Sequence, residues 1–247
     1  MRIGILGDVH SNLEALQTVV RAMRADSVDH WVQVGDIVGY GADPTSCIDL
    51  IRELGCTVCM GNHDAAVLDL LDTDYFNTYA RAAIEWTRTK LRPSDLDYLR
   101  GLPTVVRHTQ YTLTHGTLHM PEQFGYVLSK VDAQESMRHQ ETLMGFVGHS
   151  HVPAIYSERE HARPNELEVC YDSEIEASAV GCRRVLMNVG SVGQPRDEAP
   201  RAAYALYDTD SGRMAVRRVA YDIATTQKKI LAAGLPEVLA KRLSLGV

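Results

Sequence analysis

Three short apolar runs near the start of the chain constrain its fold most, because each one ends in a glycine that polar residues follow at once. The runs cover residues 3–6, 31–34 and 57–60, and the glycines are Gly7, Gly35 and Gly61. Between the first two runs, apolar residues recur at helical spacing from Leu13 to Met23. This pattern predicts a strand, a helix and a parallel strand, and then a second helix over residues 44–54 and a third strand. Ligands bind at the carboxyl ends of parallel strands, so we expect the polar residues to converge there.

The pattern changes after residue 64. Residues 65–100 carry apolar and aromatic side chains at helical spacing, which predicts a helical insertion or cap. Strand-type runs then return and predict a second sheet. They cover residues 111–114, 142–147, 167–171, 184–189, 203–207 and 214–219. The pattern over residues 221–245 predicts two helices with a break at Gly234. The length of 247 residues favours a single domain, which covers residues 1–247.

Charge and cysteine content argue against a non-specific nucleic-acid-binding protein and against a protein held together by disulfides. The formal net charge of −7 lacks the basic excess that non-specific nucleic-acid binding requires. The sequence shows neither a basic and then apolar leader nor an apolar stretch long enough to cross a bilayer, so we expect a cytoplasmic protein without membrane contact. Five scattered cysteines favour reduced thiols over a disulfide framework. Cys56 and Cys59 form a C-x-x-C in an apolar run, where core packing is expected rather than a redox turn.

Side chains of the metal-ligand type follow the strand-like runs in five separate segments. They are Asp8 and His10, Asp36, Asn62 and His63, His115, and His149 and His151. Any one of them alone would be interpreted as a hydrogen-bonded loop residue. Parallel pairing of the first two strands, however, brings Asp8 beside Asp36, and two such carboxylates repel unless one takes up a proton or a cation lies between them. The five segments together therefore predict a metal site. The remaining histidines are expected at the surface: His30, His108, His119, His139 and His161.

These segments resemble the ordered signature of the calcineurin-like metallophosphoesterases, which is D-x-H, G-D, G-N-H-[DE], a lone histidine and G-H-x-H. Each element is matched between residues 8 and 151. The resemblance implies a four-layer αββα sandwich of two mixed sheets flanked by helices. It also implies that Asp8, His10 and His151 bind one metal ion. Asn62, His115 and His149 would bind a second ion, and Asp36 would bridge both.

The resemblance further implies a hydrolytic mechanism. Nitrogen and oxygen donors of this kind suit Mn²⁺, which we expect, with Fe, Zn²⁺ or Ni²⁺ as alternatives. Two ions about 4 Å apart turn a bridging water into hydroxide near neutral pH, and this hydroxide attacks phosphorus in line. His63 is expected to protonate the leaving oxygen as the general acid. The alternative for His63 is a structural role beside the metal ligands.

Residues 188–196 resemble a segment, N-P-G-S-x-G-x-P-R, of the smaller bacterial members of the superfamily, with Val189 in place of the usual proline. Arg196 in this segment is a candidate for contact with a substrate phosphate, and the alternative is a solvated loop residue. Residues 39–44 also resemble that subgroup, which makes Tyr40 a second candidate for substrate binding. The arginines that clamp phosphate in the protein serine/threonine phosphatases are missing, so phosphoprotein is a poor substrate candidate.

We therefore expect a metal-dependent phosphodiesterase or phosphatase that acts on a small phosphate ester, including nucleotide-like esters. Tyr75, Phe76 and Tyr79 in the cap could stack on a base or pack in the helical core. One rival hypothesis is a non-catalytic metal-binding scaffold of the same fold, which His63 argues against. Another is a metal-dependent nuclease, for which the chain offers no basic track. The sequence assigns no oligomeric state.

Overall fold

A computed structural model describes residues 1–163 and 166–247, apart from the side chain of Tyr75, which lies outside the described part. Twelve strands are present in these residues: β1 (Arg2–Leu6), β2 (His30–Gln33), β3 (Thr57–Val58), β4 (Val105–Arg107), β5 (Tyr111–Thr114), β6 (Met144–Val147), β7 (Ala154–Arg159), β8 (Glu168–Cys170), β9 (Ile175–Ser178), β10 (Cys182–Asn188), β11 (Ala202–Asp208) and β12 (Arg213–Val219). Eight α-helices accompany them: α1 (Leu13–Ala25), α2 (Pro44–Glu53), α3 (Asn62–Val67), α4 (Thr78–Arg88), α5 (Pro93–Arg100), α6 (Lys130–Arg138), α7 (Ile223–Ala232) and α8 (Glu237–Lys241). Among the helices described, none is both long enough and apolar enough to span a membrane.

The strands form two mixed six-stranded sheets. The first has the order β3-β2-β1-β11-β12-β9, and the second has the order β4-β5-β6-β10-β7-β8. β1, β2 and β3 are parallel to one another, as the opening of the sequence predicts. β5, β6 and β10 are the parallel strands of the second sheet. The carboxyl ends of both parallel sets can therefore carry one shared site.

The two sheets pack face to face, and helices cover their outer faces. The inner core joins Ile5 and Val34 of the first sheet region to Phe146 and Met187 of the second. On the outer face of the first sheet, α1 and α2 bury an apolar cluster, and on the outer face of the second sheet, α6 packs against a smaller one. Burial of apolar surface on both faces of each sheet explains the order of layers. The predicted αββα sandwich is confirmed.

α1 shows how the sequence sets a helix in this fold. The side-chain oxygen of Asn12 accepts a hydrogen bond from the amide of Ala15 at 3.1 Å and caps the helix. Leu16, Val20 and Met23 then recur on one buried face, as predicted. The helix thereby connects β1 to β2, and the parallel pairing of these strands places the loops that follow them side by side.

The helical insertion begins earlier than residue 65, because α3 starts at Asn62. The carboxylate of Asp64 accepts a hydrogen bond from the amide of Gly61 at 3.1 Å, and this local capping turns the segment after β3 into a helix rather than a loop. Two further helices of the insertion, α4 and α5, follow. α4 contributes Ala80 and Ala83 to a cluster with α7 and α8, so the insertion packs on the C-terminal helices. The assignment of one domain stays a prediction.

Four elements of the described chain are absent from the sequence prediction: β4, β7, β9 and α6. In α6 only Ala133 and Met137 are buried apolar residues, so the helical period is weak, and the capping of its first turn by Ser129 is the clearer signal. β7 pairs with β10, and its first residues are buried in the apolar clusters on the two faces of the sheet. Pairing between distant strands decides such short elements, and a local pattern does not report it.

Candidate metal centre

All seven predicted ligands lie together at the carboxyl ends of the parallel strands, and all are buried. Their loops follow β1, β2, β5 and β6, while Asn62 begins α3 after β3. The amide of His149 donates to Asp8 Oδ1 at 3.1 Å, which joins the loops of the two sheets. His30, His108, His119, His139 and His161 are not part of the two described donor clusters. His30 and His119 are half-buried rather than exposed, and the imidazole of His30 is hydrogen-bonded to the Tyr111 hydroxyl at 2.7 Å.

Five of the seven predicted ligands have a left-handed backbone. The φ angles are 49° at Asp8, 48° at His10, 59° at Asp36, 67° at His149 and 62° at His151. Residues other than glycine rarely adopt this conformation, and each instance costs on the order of 1 kcal/mol or more. The surrounding hydrogen bonds must therefore hold the loops in place, and such strain concentrates at functional sites.

The first donor cluster consists of Asp8, His10 and His151. Asp8 Oδ1 lies 3.3 Å from His151 Nε2, and the Nε2 atoms of His10 and His151 are 3.1 Å apart. The other ring nitrogen of each histidine faces a carbonyl oxygen, since His10 Nδ1 is 3.0 Å from that of Val38 and His151 Nδ1 is 2.6 Å from that of Gln194. Donation from Nδ1 to these carbonyls leaves both Nε2 atoms as lone-pair donors directed at one point.

The second donor cluster consists of Asn62, His115 and His149. His115 Nε2 lies 3.0 Å from Asn62 Oδ1 and 3.1 Å from His149 Nδ1. His115 Nδ1 is 2.8 Å from the carbonyl oxygen of Val34, which orients this imidazole as in the first cluster. The donors are again nitrogen and oxygen without sulfur, a set that suits borderline and hard divalent ions.

Asp36 lies between the two clusters. Its Oδ2 is 3.5 Å from His10 Nε2 and 3.3 Å from His115 Nε2. This oxygen is buried and has no hydrogen-bond donor of good geometry among the described residues. A buried carboxylate oxygen without a donor is costly unless a cation neutralises it. The residues present therefore fit divalent cations, and the clusters are candidate metal sites.

The histidines of the two clusters fall into two groups by the direction in which their pKa values are shifted. Burial lowers the pKa values of His10, His149 and His151, so these imidazoles are neutral at neutral pH. Burial also acts to lower the pKa of His115, but the neighbouring Asp36 carboxylate outweighs it and raises this pKa to about 9. The same contact with His115 helps to hold the pKa of Asp36 well below its usual range, against the effect of burial. Without metal, His115 therefore holds a proton that a cation would replace.

Two supports of the centre are not singled out as functional by the sequence analysis. Asp64 accepts hydrogen bonds from the amides of Asp36, Ile37 and Val38 at 2.8, 3.0 and 3.2 Å. The hydroxyl of Ser191 donates to the carbonyl oxygen of Asp8 at 2.8 Å. The capping position of Asp64 in α3 was the available signal for the first support, whereas the second depends on contact between distant segments.

His63 lies beside the first cluster and faces the cleft. Its ring centroid is 4.8 Å from that of His10 and 4.5 Å from that of Tyr40. Burial lowers the pKa of His63 to about 4. Gly39, with a φ of 93°, leaves the space for this imidazole, because a Cβ there would come within 2.4 Å of His63 Nδ1. His63 Nδ1 is buried and has no hydrogen-bond partner within the described part of the chain.

A cleft of about 670 Å³ opens over the centre, and both predicted substrate-binding residues line it. Arg196 Nη2 lies 3.4 Å from the Tyr40 hydroxyl and is hydrogen-bonded to Gln194 Oε1 at 3.0 Å. Its guanidinium stands over the Tyr40 ring, 5.7 Å from the centroid. These contacts hold Arg196 at the cleft rather than in solvent.

Aromatic side chains form much of the cleft wall. Tyr126 stacks on His149, a predicted ligand, with ring centroids 3.8 Å apart, and the sequence does not predict this contact. Of the cap aromatics, Phe76 lines the cleft and meets His63 edge to face at 5.2 Å. Tyr79 is 51% exposed and is not among the cleft residues. The third cap aromatic, Tyr75, lies outside the described side chains.

Comparison with known proteins gives one consistent result. The calcineurin-like phosphoesterase superfamily domain matches residues 1–212. The crystal structure of a metallophosphoesterase from Sphaerobacter thermophilus is similar with a TM-score of 0.88 and 38% identity, over 100% of this chain and 99% of that chain. An uncharacterized protein of Methanocaldococcus jannaschii is 36% identical over 248 residues, which cover 99% of this chain and 98% of that protein. A hypothetical protein from Pyrococcus horikoshii has the same fold, with a TM-score of 0.80 and 20% identity over 100% and 98% of the two chains. The chain therefore belongs to the calcineurin-like phosphoesterase superfamily.

Proposed function

We propose that this protein is a two-metal-dependent phosphoesterase that hydrolyses a small phosphodiester or phosphomonoester. The observation that supports this most is the position of Asp36 Oδ2, which is buried between the two clusters and lies 3.5 Å from His10 Nε2 and 3.3 Å from His115 Nε2. Asp8, His10 and His151 would hold one ion, Asn62, His115 and His149 the other, and Asp36 both. We expect Mn²⁺ in preference to Fe, Zn²⁺ or Ni²⁺.

A pair of divalent cations supplies charge neutralisation for the phosphoryl oxygens and a nucleophile at neutral pH. The chain supplies the remaining functions. Hydrogen bonds from His10, His115 and His151 to backbone carbonyls keep the free ring nitrogens directed at the ions. The strained loops are held by their amide and carboxylate contacts, so the ligand geometry exists before substrate enters.

His63 is the proposed general acid. It lines the cleft next to the first cluster and belongs to neither predicted ligand set, although its ring also offers a donor atom within 4.8 Å of those of His10 and Asp36. The negative charge of an entering phosphate ester favours the imidazolium form and offsets the effect of burial on its pKa. His63 would then give its proton to the leaving oxygen, a contribution of roughly 10²–10⁴ in rate. Arg196, held by Tyr40 and Gln194, would bind a phosphoryl oxygen.

The charge of the cleft favours a small ester with few negative charges. Arg196 is the one arginine or lysine among the described residues that line it, and Asp72 and Glu122 lie in the same wall. A nuclease needs a basic track for the backbone of its substrate, and this lining provides a single cation. The non-catalytic scaffold is the weaker alternative, because it leaves unexplained the buried Nδ1 of His63, which has no hydrogen-bond partner among the described residues.

The test is hydrolysis of a chromogenic phosphodiester and a chromogenic phosphomonoester by metal-free protein to which each divalent ion is returned. We expect activity with Mn²⁺, a loss of at least about 100-fold in His63→Ala, and a comparable or larger loss in Asp36→Asn. His161→Gln alters an exposed histidine outside the cleft and serves as the matched control. If wild type is as inert as both variants with every ion, the proposed function is wrong.

A further inference from the structure

A second group of metal-ligand side chains lies on the surface, apart from the centre described above. It consists of His119, in the loop after β5, and of Glu135 and His139, at the C-terminal end of α6. Glu135 and His139 are four residues apart, so they lie on the same face of the helix. The three side chains are between 39% and 46% exposed, which leaves the group open to ions from solvent.

The distances within this group match one face of a coordination tetrahedron. His119 Nδ1 is 3.3 Å from His139 Nε2, and each of these nitrogens is 3.6 Å from Glu135 Oε1. Metal–ligand bonds of about 2.0–2.1 Å at tetrahedral angles place neighbouring donor atoms about 3.3–3.4 Å apart. The three donors therefore form a nearly equilateral triangle of the required size, with the fourth position open.

The surroundings of the group leave Glu135 Oε1 available. Arg138 is ion-paired with the other oxygen, Glu135 Oε2. The guanidinium reduces the negative charge of the carboxylate, so the two imidazoles must supply much of the affinity. Two imidazole nitrogens and one carboxylate oxygen suit Zn²⁺ and similar borderline ions and disfavour Mg²⁺ and Ca²⁺.

We infer that His119, Glu135 and His139 form a third metal site, for Zn²⁺ or an ion of similar chemistry, outside the two clusters of the catalytic centre. A bound ion would connect the loop after β5 to α6, where the amide of Leu118 already donates to the Ser136 hydroxyl at 3.0 Å. The same loop continues to Phe124 and Tyr126 in the cleft wall. The site therefore braces the segment that shapes the substrate cleft. It does not depend on the proposed function, because none of its three ligands belongs to the centre.

The first test counts bound Zn²⁺ after equilibrium dialysis of metal-stripped protein, by atomic emission. His119→Gln and His139→Gln keep a side chain of similar polarity and remove one donor each, and His161→Gln is the control at an exposed histidine. We expect wild type and His161→Gln to bind one equivalent more than either of the other variants, with matching far-UV circular dichroism spectra for all four proteins. Equal zinc content in the four proteins overturns the inference.

A second test measures amide hydrogen exchange and does not depend on counting bound zinc ions. Amide hydrogen exchange over residues 117–126 should slow on addition of Zn²⁺ in wild type and in His161→Gln. The slowing should be at least several-fold smaller in His139→Gln, whose catalytic centre is intact. If Zn²⁺ slows exchange in this loop equally in His139→Gln, binding at the catalytic centre accounts for it and the third site is refuted.

Discussion

Asp64 Oδ2 accepts a hydrogen bond from the backbone amide of Asp36 at 2.8 Å. The same carboxylate accepts from the amides of Ile37, Val38 and Gly61. Asp64 thus fixes the left-handed turn that carries Asp36 and holds it against the start of α3, where Asn62 lies. Asp64 is not one of the predicted ligands, but it therefore sets the spacing between Asp36, which lies between the clusters, and Asn62 of the second cluster.

Replacement of Asp64 by asparagine should destabilise the protein strongly. Asn offers one acceptor oxygen to four buried amides, so donors are left unsatisfied, and we expect a loss of about 3 kcal/mol in the free energy of unfolding. Urea unfolding of the metal-free protein measures this value. Asp69→Asn, which removes an exposed carboxylate paired with Arg88, should cost less than about 1 kcal/mol. Similar losses in both variants would contradict the role assigned to Asp64.

Metal binding should release about one proton from His115 at pH 7.5. Burial opposes its protonated form, but Asp36 raises the pKa of His115 to about 9, while the pKa values of His10, His149 and His151 are lowered by burial. A cation must displace this proton, so the apparent affinity of the protein for Mn²⁺ should rise by up to about tenfold per pH unit. The affinity should level off above pH 9, where His115 is already deprotonated. Titration calorimetry with Mn²⁺ in buffers of different ionisation enthalpy gives the proton count. A count of zero at pH 7.5 would show that the proton is not there.

Burial of His63 should make the metal-free protein more sensitive to acid than a variant without this imidazole. Burial lowers the pKa of His63 from 6.5 to about 4, so the unfolded state takes up this proton first as pH falls. The neutral imidazole of His63 therefore contributes about 3 kcal/mol to the free energy of unfolding above pH 6.5. This contribution declines as the pH falls below 6.5 and is lost near pH 4. His115 is protonated in both states below pH 6 and adds nothing to the slope. Urea unfolding in a chelator at pH 7 and pH 5 tests this, and His63→Gln should show the smaller decline. An equal decline in both proteins would assign the acid sensitivity to other groups.

Loss of the guanidinium at position 196 should weaken substrate binding while leaving the metal ions in place. A charge-assisted hydrogen bond contributes about 1.5–3 kcal/mol, so kcat/KM for a chromogenic phosphate ester should fall roughly 10–100-fold in Arg196→Gln. Metal content, measured on the same samples, should not change. Arg201→Gln is the matched control, since Arg201 is exposed and paired with Glu174. Unchanged kinetics in Arg196→Gln would indicate that this arginine only packs on Tyr40.

One cysteine should react much faster than the others with a thiol reagent in the native state. Cys170 is exposed, whereas Cys47, Cys59 and Cys182 are buried. Burial raises the pKa of the Cys56 thiol to about 12, so very little thiolate is present there at pH 8. Cys170→Ser should abolish the fast phase, and Cys182→Ser should retain it. A fast phase in Cys170→Ser would mean that Cys56 is reactive after all.

Local sequence was sufficient to predict the helices and strands that have a strong apolar pattern. It was insufficient for the strands that form only by pairing with distant strands. The three parallel strands, α1 and α2 follow from apolar runs, helical spacing, the cap that Asn12 supplies to α1 and the proline Pro44 in the first turn of α2. β7 and β9 depend on partners far along the chain, and α6 carries few apolar residues, so these elements were not predicted. The helical conformation of Asn62 was missed as well, because the capping by Asp64 replaces a hydrophobic period.

The sequence by itself determined which donors are present and that they follow strand ends, because residue type and apolar period are local properties. Tertiary structure decided how those donors are used. It brings the loops of two sheets together so that Asp36 lies between two clusters, stacks Tyr126 on His149 and places Arg196 over Tyr40. It also joins His119 to α6. These contacts link residues that are distant in the chain, and strand pairing and sheet packing, rather than any local preference, set their distances.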